Sequence, residues 1–328
     1  MAALDPTFGC YEEELPDAAE AEDLDDGAPQ SIALQRLRFD LRATMHAREQ
    51  SGSAARPGAE YLRARRALIE WICDTTDRLS LHRSTFHTAS NFVDRSLSQG
   101  ALARGGQYAL VAVACLRIAA KHCETETAVP PLSALTAECG ERHSEWELAQ
   151  MEITVLTALD WRVHCDTSYD FLGALGLSPL IRTGDQIGGM GVGHAGNQYS
   201  GEVELLIRRY AEFFVDLAVY EYPHGSTPES LQAAAAVAAA RMLFSVTPTW
   251  PDSLQRDSGY AQYALNVTIC HLLDIFMHDF SDDWARLQEM AHGLMPALAK
   301  GDSSDSRQKL QSPTSVADLL LSQQNQMR

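Results

Sequence analysis

The hydrophobic pattern along the chain is helical nearly throughout. Its most apolar stretch is Ala109-Leu110-Val111-Ala112-Val113-Ala114-Cys115-Leu116-Arg117-Ile118-Ala119-Ala120-Lys121, apolar on almost every face. Thirteen residues at helical rise span roughly 20 Å, and the alanine content favours helix over strand. A helix greasy all round must be enclosed by other helices. The stretch therefore predicts the central helix of an all-α unit, with Lys121 marking its exit to solvent.

Amphipathic segments surround it. Residues 31–49 put Leu34, Leu37, Leu41 and Met45 on one face, with Ser31 as N-cap, and a Gly/Ser/Pro break runs from Ser51 to Gly58. Residues 60–79 align Leu68, Trp71, Ile72 and Thr75; residues 82–98 align Phe86, Ala89, Val93 and Leu97. Ala101–Gly106 reads as a loop. Pro130-Pro131 opens a short helix to about Cys139, and Ser144 with Glu147 forms a capping box ahead of a helix through Met151, Val155 and Leu159. Five helices in roughly 100 residues make a unit of domain size.

The pattern then repeats. Thr167–Leu175 is a short helix and residues 200–221 a longer one; Leu231–Met242 is a second alanine-rich rod about 120 residues after the first. Thr247–Pro251 is a turn and residues 259–279 another amphipathic helix. The organisation expected is an acidic leader over 1–30, an N-terminal helix and linker over 31–58, one five-helix unit over 59–165, and a second over 166–299 with a glycine-rich insertion at 183–198. A polar, disordered tail covers 300–328. Within the insertion, Gly191-Val192-Gly193-His194-Ala195-Gly196 formally matches a dinucleotide fingerprint, but that chemistry needs a strand before it and none is predicted.

Charge narrows the function. The net charge is −18, and residues 1–30 hold ten acids, nine of them in residues 12–26 (Glu12, Glu13, Glu14, Asp17, Glu20, Glu22, Asp23, Asp25, Asp26), without one Lys or Arg. Nucleic acid and anionic membrane are poor partners for such a chain. Five of the seven cysteines (Cys73, Cys115, Cys139, Cys165, Cys270) fall in or near apolar helical patterns, as reduced, buried thiols do. Without a signal peptide or an apolar run of about 18 residues, a soluble nuclear or cytoplasmic protein is expected. Cys139 and His143, His122-Cys123 and His164-Cys165 lack a Cys-x-x-Cys knuckle, so neither a metal nor a cofactor is expected. No nucleophile elbow or triad context points to an enzyme.

Several motifs resemble the cyclin family over about residues 60–175. Arg65–Ile72 is similar to the Arg-aliphatic-acid-Trp first helix of a cyclin box. Asn91–Ser98 resembles its Asp-Arg-x-Leu second helix, and Leu110–Lys121 followed by Glu124 its central helix. Pro130-Pro131 and Met151–Trp161 follow at the family spacing. Thr247-Pro248-Thr249-Trp250-Pro251, with Tyr210-Ala211 and Tyr260, looks most like the cyclin J branch.

The resemblance implies tandem five-helix cyclin boxes and a non-catalytic subunit that binds and activates a cyclin-dependent kinase in cell-cycle control. It implies kinase contacts at Lys121, Glu152, His122, Leu156 and Trp161, where position alone would give a snorkelling lysine, a solvated glutamate and ordinary core. It implies a structural ion pair between Arg65 and Asp94, and docking of substrate proteins at Leu68 and Trp71, although Ala64, Tyr108 and Ala109 depart from the family's docking pattern. Ser312-Pro313 has the form of a proline-directed phosphorylation site, and Arg38-Phe39-Asp40-Leu41 that of a degradation box. Two other uses of the fold stand beside activation. One is an adaptor that binds partners without activating a kinase. The other is a DNA-binding factor, which the charge disfavours.

Overall fold

A computed structural model of the chain describes residues 29–51, 57–98, 102, 107–138, 143–187, 190–191, 198–282 and 284–285. The expectations for the acidic leader, the tail with Ser312, Cys139 and most of the loop at 101–106 lie outside those residues. Helix α1 spans Pro29–Ser51. The first repeat follows as α2 (Ala59–Arg78), α3 (Arg83–Ser98), α4 (Tyr108–Cys123), α5 (Leu132–Glu138) and α6 (Glu145–Ala158). The second is α7 (Ser168–Leu175), α8 (Gln198–Glu221), α9 (Glu229–Leu243), α10 (Asp252–Ser258) and α11 (Gln262–Asp279).

The two alanine-rich rods are the centres of the repeats. In α4 every residue from Leu110 to Ala120 is buried except Arg117, and in α9 the run Ala233–Arg241 is buried without a break. Side chains this small let neighbouring backbones approach closely. α4 packs against α3, α6 and α2, and α9 against α8, α11 and α7, in the same relative order. The duplicated architecture legible in the hydrophobic pattern is thus a duplicated packing scheme. The boxes are closed by local chemistry as well. Ser144 accepts the Glu147 N–H and Glu147 answers to the Ser144 N–H, while Thr167 and Asp170 build the same reciprocal cap on α7.

Four expectations need correction. The stripe on α1 is present in sequence, yet only Met45 of it is buried; Leu34, Leu37 and Leu41 stay exposed, and the covered position one turn before Met45 is held by Arg42 instead. The buried face of α2 is Tyr61, Arg65, Ile69, Ile72, Cys73, Thr75 and Thr76, which keeps Ile72 and Thr75 of the expected stripe but leaves Leu68 and Trp71 half-buried at its margin. Cys270 is exposed on the outer face of α11, whereas Cys73 and Cys115 are buried. Finally, the glycine-rich insertion does hold strands. β1 (Gln186–Ile187) pairs antiparallel with β2 (Met190–Gly191) and with β3 (Val246–Thr247), anchored by buried Ile187 and Val246. Two-residue antiparallel strands are not the parallel strand–helix unit of a dinucleotide site. Among the described residues no helix is long and apolar enough to cross a membrane.

Candidate functional site

The site forms where the end of α4 crosses α6. Lys121 lies in the last turn of α4, one turn after Arg117, so both cations share a face. Glu152 comes up from the middle of α6. Its two carboxylate oxygens are divided between them: Lys121 Nζ donates to Oε2 at 2.6 Å, and Arg117 Nη1 donates to Oε1. The Glu152 side chain is 9% exposed and that of Lys121 45% exposed. Burial would penalise an isolated carboxylate; two charge-assisted bonds offset it. The ammonium meanwhile keeps donors free towards solvent. Glu152 is thus neither a solvated face residue nor a simple partner of Lys121, but the anchor that aims two cations.

Around that charge lies apolar surface. The buried side of α6 is Leu148, Met151 and Val155, continued by Leu159. The opposite side carries Trp146 and Ile153, 71% and 53% exposed, with half-buried Leu156 beside Glu152. Past the helix end, Asp160 and Trp161 both adopt left-handed backbone, at φ 52° and 59°, and the Trp161 N–H returns to the Leu156 carbonyl at 2.9 Å. This conformation is costly for a bulky residue, and it turns the indole outward to 65% exposure. His122 is exposed on the same rim, its ring edge-on to that of His164 at 6.1 Å.

Arg95, at the end of α3, supports the turn by donating to the Arg162 carbonyl at 2.9 Å. Burial lowers its pKa, and the nearby Arg162 lowers it further. Burial likewise pushes the nearby Cys165 thiol up, which disfavours its thiolate form.

Of the five residues expected at the contact surface, Lys121 and Glu152 are joined by an ion pair and Leu156 and Trp161 by a backbone hydrogen bond, with His122 next to Lys121 at the end of α4. Arg117 joins the ion pair, and Arg95 holds the turn after Trp161. Arg117 was readable from its one-turn spacing to Lys121, and Arg95 from its place beside Asp94. The outward faces of Trp146 and Ile153 follow only from the packing of α6.

The Arg65–Asp94 pair is also present, buried and bidentate, with Nε–Oδ1 at 2.8 Å and Nη2–Oδ2 at 2.9 Å. Tyr61 donates a further bond to Asp94. Leu68 and Trp71 are half-buried and pack against the core; Ala64 and Tyr108 are also half-buried, and Ala109 is exposed.

Comparison with known proteins agrees with this architecture. Residues 41–164 match the family "Cyclin, N-terminal domain" and residues 194–293 match "Cyclin, C-terminal domain", together more than half of the chain. The chain is 25% identical to a cyclin-D of Ostreococcus tauri, over 76% of this chain and 67% of that protein. It is 24% identical to a cyclin-J-like protein of Mus musculus, over 87% and 72%. A cyclin-B1-5 of Oryza sativa subsp. japonica is 30% identical, but only 39% of its length is matched. Among solved structures, a viral cyclin from herpesvirus saimiri superposes with a TM-score of 0.54 at 16% identity, covering 73% of this chain and 97% of that one. With both box domains matched in order and two rods at their centres, the chain belongs to the cyclin family.

Proposed function

We propose that this chain is the regulatory subunit of a cyclin-dependent protein kinase, acting in cell-cycle control, and that the α4–α6 rim is its kinase-binding surface. The observation that carries the reading is the Lys121–Glu152–Arg117 cluster: a half-exposed ammonium held in place by a buried carboxylate, beside an outward-facing Trp161. Apolar anchors ringed by oriented charge are normal interface anatomy. Lys121 offers N–H donors to carbonyl oxygens of the partner, and the Glu152 oxygens have lone pairs left for its N–H groups. Leu156 and Trp161 supply apolar contact between them, with His122 at the edge.

In this reading the catalytic groups are the kinase's own. Its effect is on the equilibrium of the kinase's mobile helix: binding the inward position preferentially completes the kinase's Lys–Glu ion pair, and phosphoryl transfer follows.

The test is co-purification of the full chain with candidate kinases, followed by activity on a histone-type substrate. Lys121→Ala/Glu152→Ala is expected to lose both association and activity. A double variant that binds and activates like the native chain would overturn the reading. Native complexes that form stably but stay inactive would instead establish the adaptor.

A further inference from the structure

Helix α1 carries Arg38 and Arg42 one turn apart, on the face that ends in buried Met45. Its second half is fastened to the second repeat. Arg42 Nη2 reaches Asp257 Oδ1 of α10 at 3.0 Å, Arg48 grips Asp166 at 2.6 and 2.7 Å, and Glu49 accepts the Ser230 N–H at 2.9 Å. Arg182, from the loop after α7, takes the other Asp257 oxygen at 2.5 Å.

Arg42 and Arg182 thus share the Asp257 carboxylate, and Arg38, one turn before Arg42 on α1, adds a third cation close to Arg42. Burial lowers the Arg42 pKa; Asp257 works against that, while Arg182 and Arg38 lower it further. The nearby Asp185 does not redress the balance. It is already held by the Arg241 guanidinium at 2.8 Å and by the Arg182 backbone N–H at 2.7 Å.

Three buried nitrogens of the cluster have no hydrogen-bond partner: Arg38 Nε, Arg42 Nη1 and Arg182 Nε. Arg42 as a whole is only 8% exposed. Unpaired donors on buried cations are expensive, and a fork of guanidinium N–H groups is the usual seat of a carboxylate or phosphate. Arg42 and Arg182 have one carboxylate charge between them, with the Arg38 cation close by.

We propose that Arg38, Arg42 and Arg182 form a carboxylate-binding site whose occupant is the acidic segment 12–26 of the same chain. The charges are complementary, with nine acids in that segment and no Lys or Arg in residues 1–30. The tether is adequate. Arg38 stands nine residues into α1, about 14 Å from Pro29 at helical rise, and about six extended residues already span that distance. Acids between Glu14 and Glu22 reach the cluster by folding back along the helix. The apolar surroundings match as well. Leu34 and Leu41 are 47% and 40% exposed on the face that holds Arg38, and Leu15 and Leu24 lie among the acids.

The test compares the full native chain with a full chain in which the nine acids are replaced by Gln or Asn. Both are treated with phenylglyoxal, an arginine-selective reagent, and modification is followed residue by residue by mass spectrometry. Arg38 and Arg182 are expected to react about tenfold more slowly in the native chain, because a tethered ligand acts at millimolar effective concentration. High salt should erase the difference, and exposed Arg66 should react alike in both. Millimolar inorganic phosphate should slow Arg38 and Arg182 in the neutralised chain only. Equal rates in the two chains would overturn the proposal. So would phosphate protection of the native chain equal to that of the variant, which would mark the site as one for free anions. Protection that rises with protein concentration would assign the acids to a second copy and overturn it too.

Discussion

Arg65 and Asp94 join more than the two helices that carry them. The guanidinium that clasps Asp94 also donates to the carbonyls of Val219 at 2.6 Å and Tyr220 at 2.8 Å, at the carboxyl end of α8, while Asp94 Oδ2 accepts the His224 N–H at 2.8 Å. A cation placed on the last carbonyls of a helix is well placed for the helix dipole. The pair therefore locks the first repeat to the second. Arg65→Met leaves a buried carboxylate and orphaned carbonyls, and is expected to cost about 3–5 kcal/mol in urea unfolding. Arg65→Met/Asp94→Asn should cost less than the sum of the single changes, because no uncompensated charge then remains. Full additivity would show that the two side chains act independently.

A second lock is pH-sensitive. Asp216 of α8 accepts from Arg83 Nε and His87 Nε2, each at 2.9 Å, across the join to α3. Burial alone would push this carboxyl up, but the Arg83 guanidinium and the His87 ring outweigh it and hold Asp216 below its ordinary value. A group whose pKa is depressed by folding adds stability above its unfolded pKa of about 3.9 and loses it as pH falls through the folded value. Asp216→Asn should destabilise by about 3–5 kcal/mol at neutral pH. The gap to the native chain should close below about pH 4. Thermal melts across pH check this; a constant gap would remove Asp216 from the acid response.

Trp161 separates stability from contact. Its left-handed backbone is unfavourable and its side chain is mostly in solvent. Trp161→Gly should leave the melting temperature unchanged or raise stability by about 1 kcal/mol. Affinity for the kinase should nonetheless fall about tenfold or more if the indole is an interface anchor. Calorimetry on the free chain and titration with the kinase read the two effects apart. A variant that melts early would mean that the indole packs inward.

The final prediction compares equivalent positions. Lys121 and Arg241 each stand third from the end of a central rod. Arg241 is fully buried and donates to the carbonyls of Leu180, Thr249 and Pro248 as well as to Asp185. Arg241→Met should cost about 3–5 kcal/mol, and Lys121→Ala less than about 1 kcal/mol. Denaturant midpoints decide this, and similar losses would contradict it.

What was legible in the sequence was whatever depends on spacing within one element. The two rods, the Ser144–Glu147 cap, and the positions of Lys121 and Glu152 on their helices are all of this kind. The Arg65–Asp94 pairing was expected from the family resemblance. What was hidden depends on elements far apart in the chain. Nothing near Arg65 announces the α8 carbonyls some 155 residues away. Nothing in the α1 stripe tells that only Met45 of it is covered, since a helix shows its apolar face alike whether or not a neighbour covers it. The two-residue strands escaped because so short a run has no period to detect; they exist through the pairing that Val246 and Ile187 anchor.

The contrast at the ends of the two rods bears on how variants at these sites would be felt in a cell. Loss of the sealed arginine lowers the folded population, so the amount of protein falls and every downstream event falls with it. On the function proposed above, loss of the half-exposed lysine would leave the amount intact and weaken the kinase contact alone. Two like scaffolds thus set matching cations to opposite tasks: one holds the fold together from within, the other faces solvent.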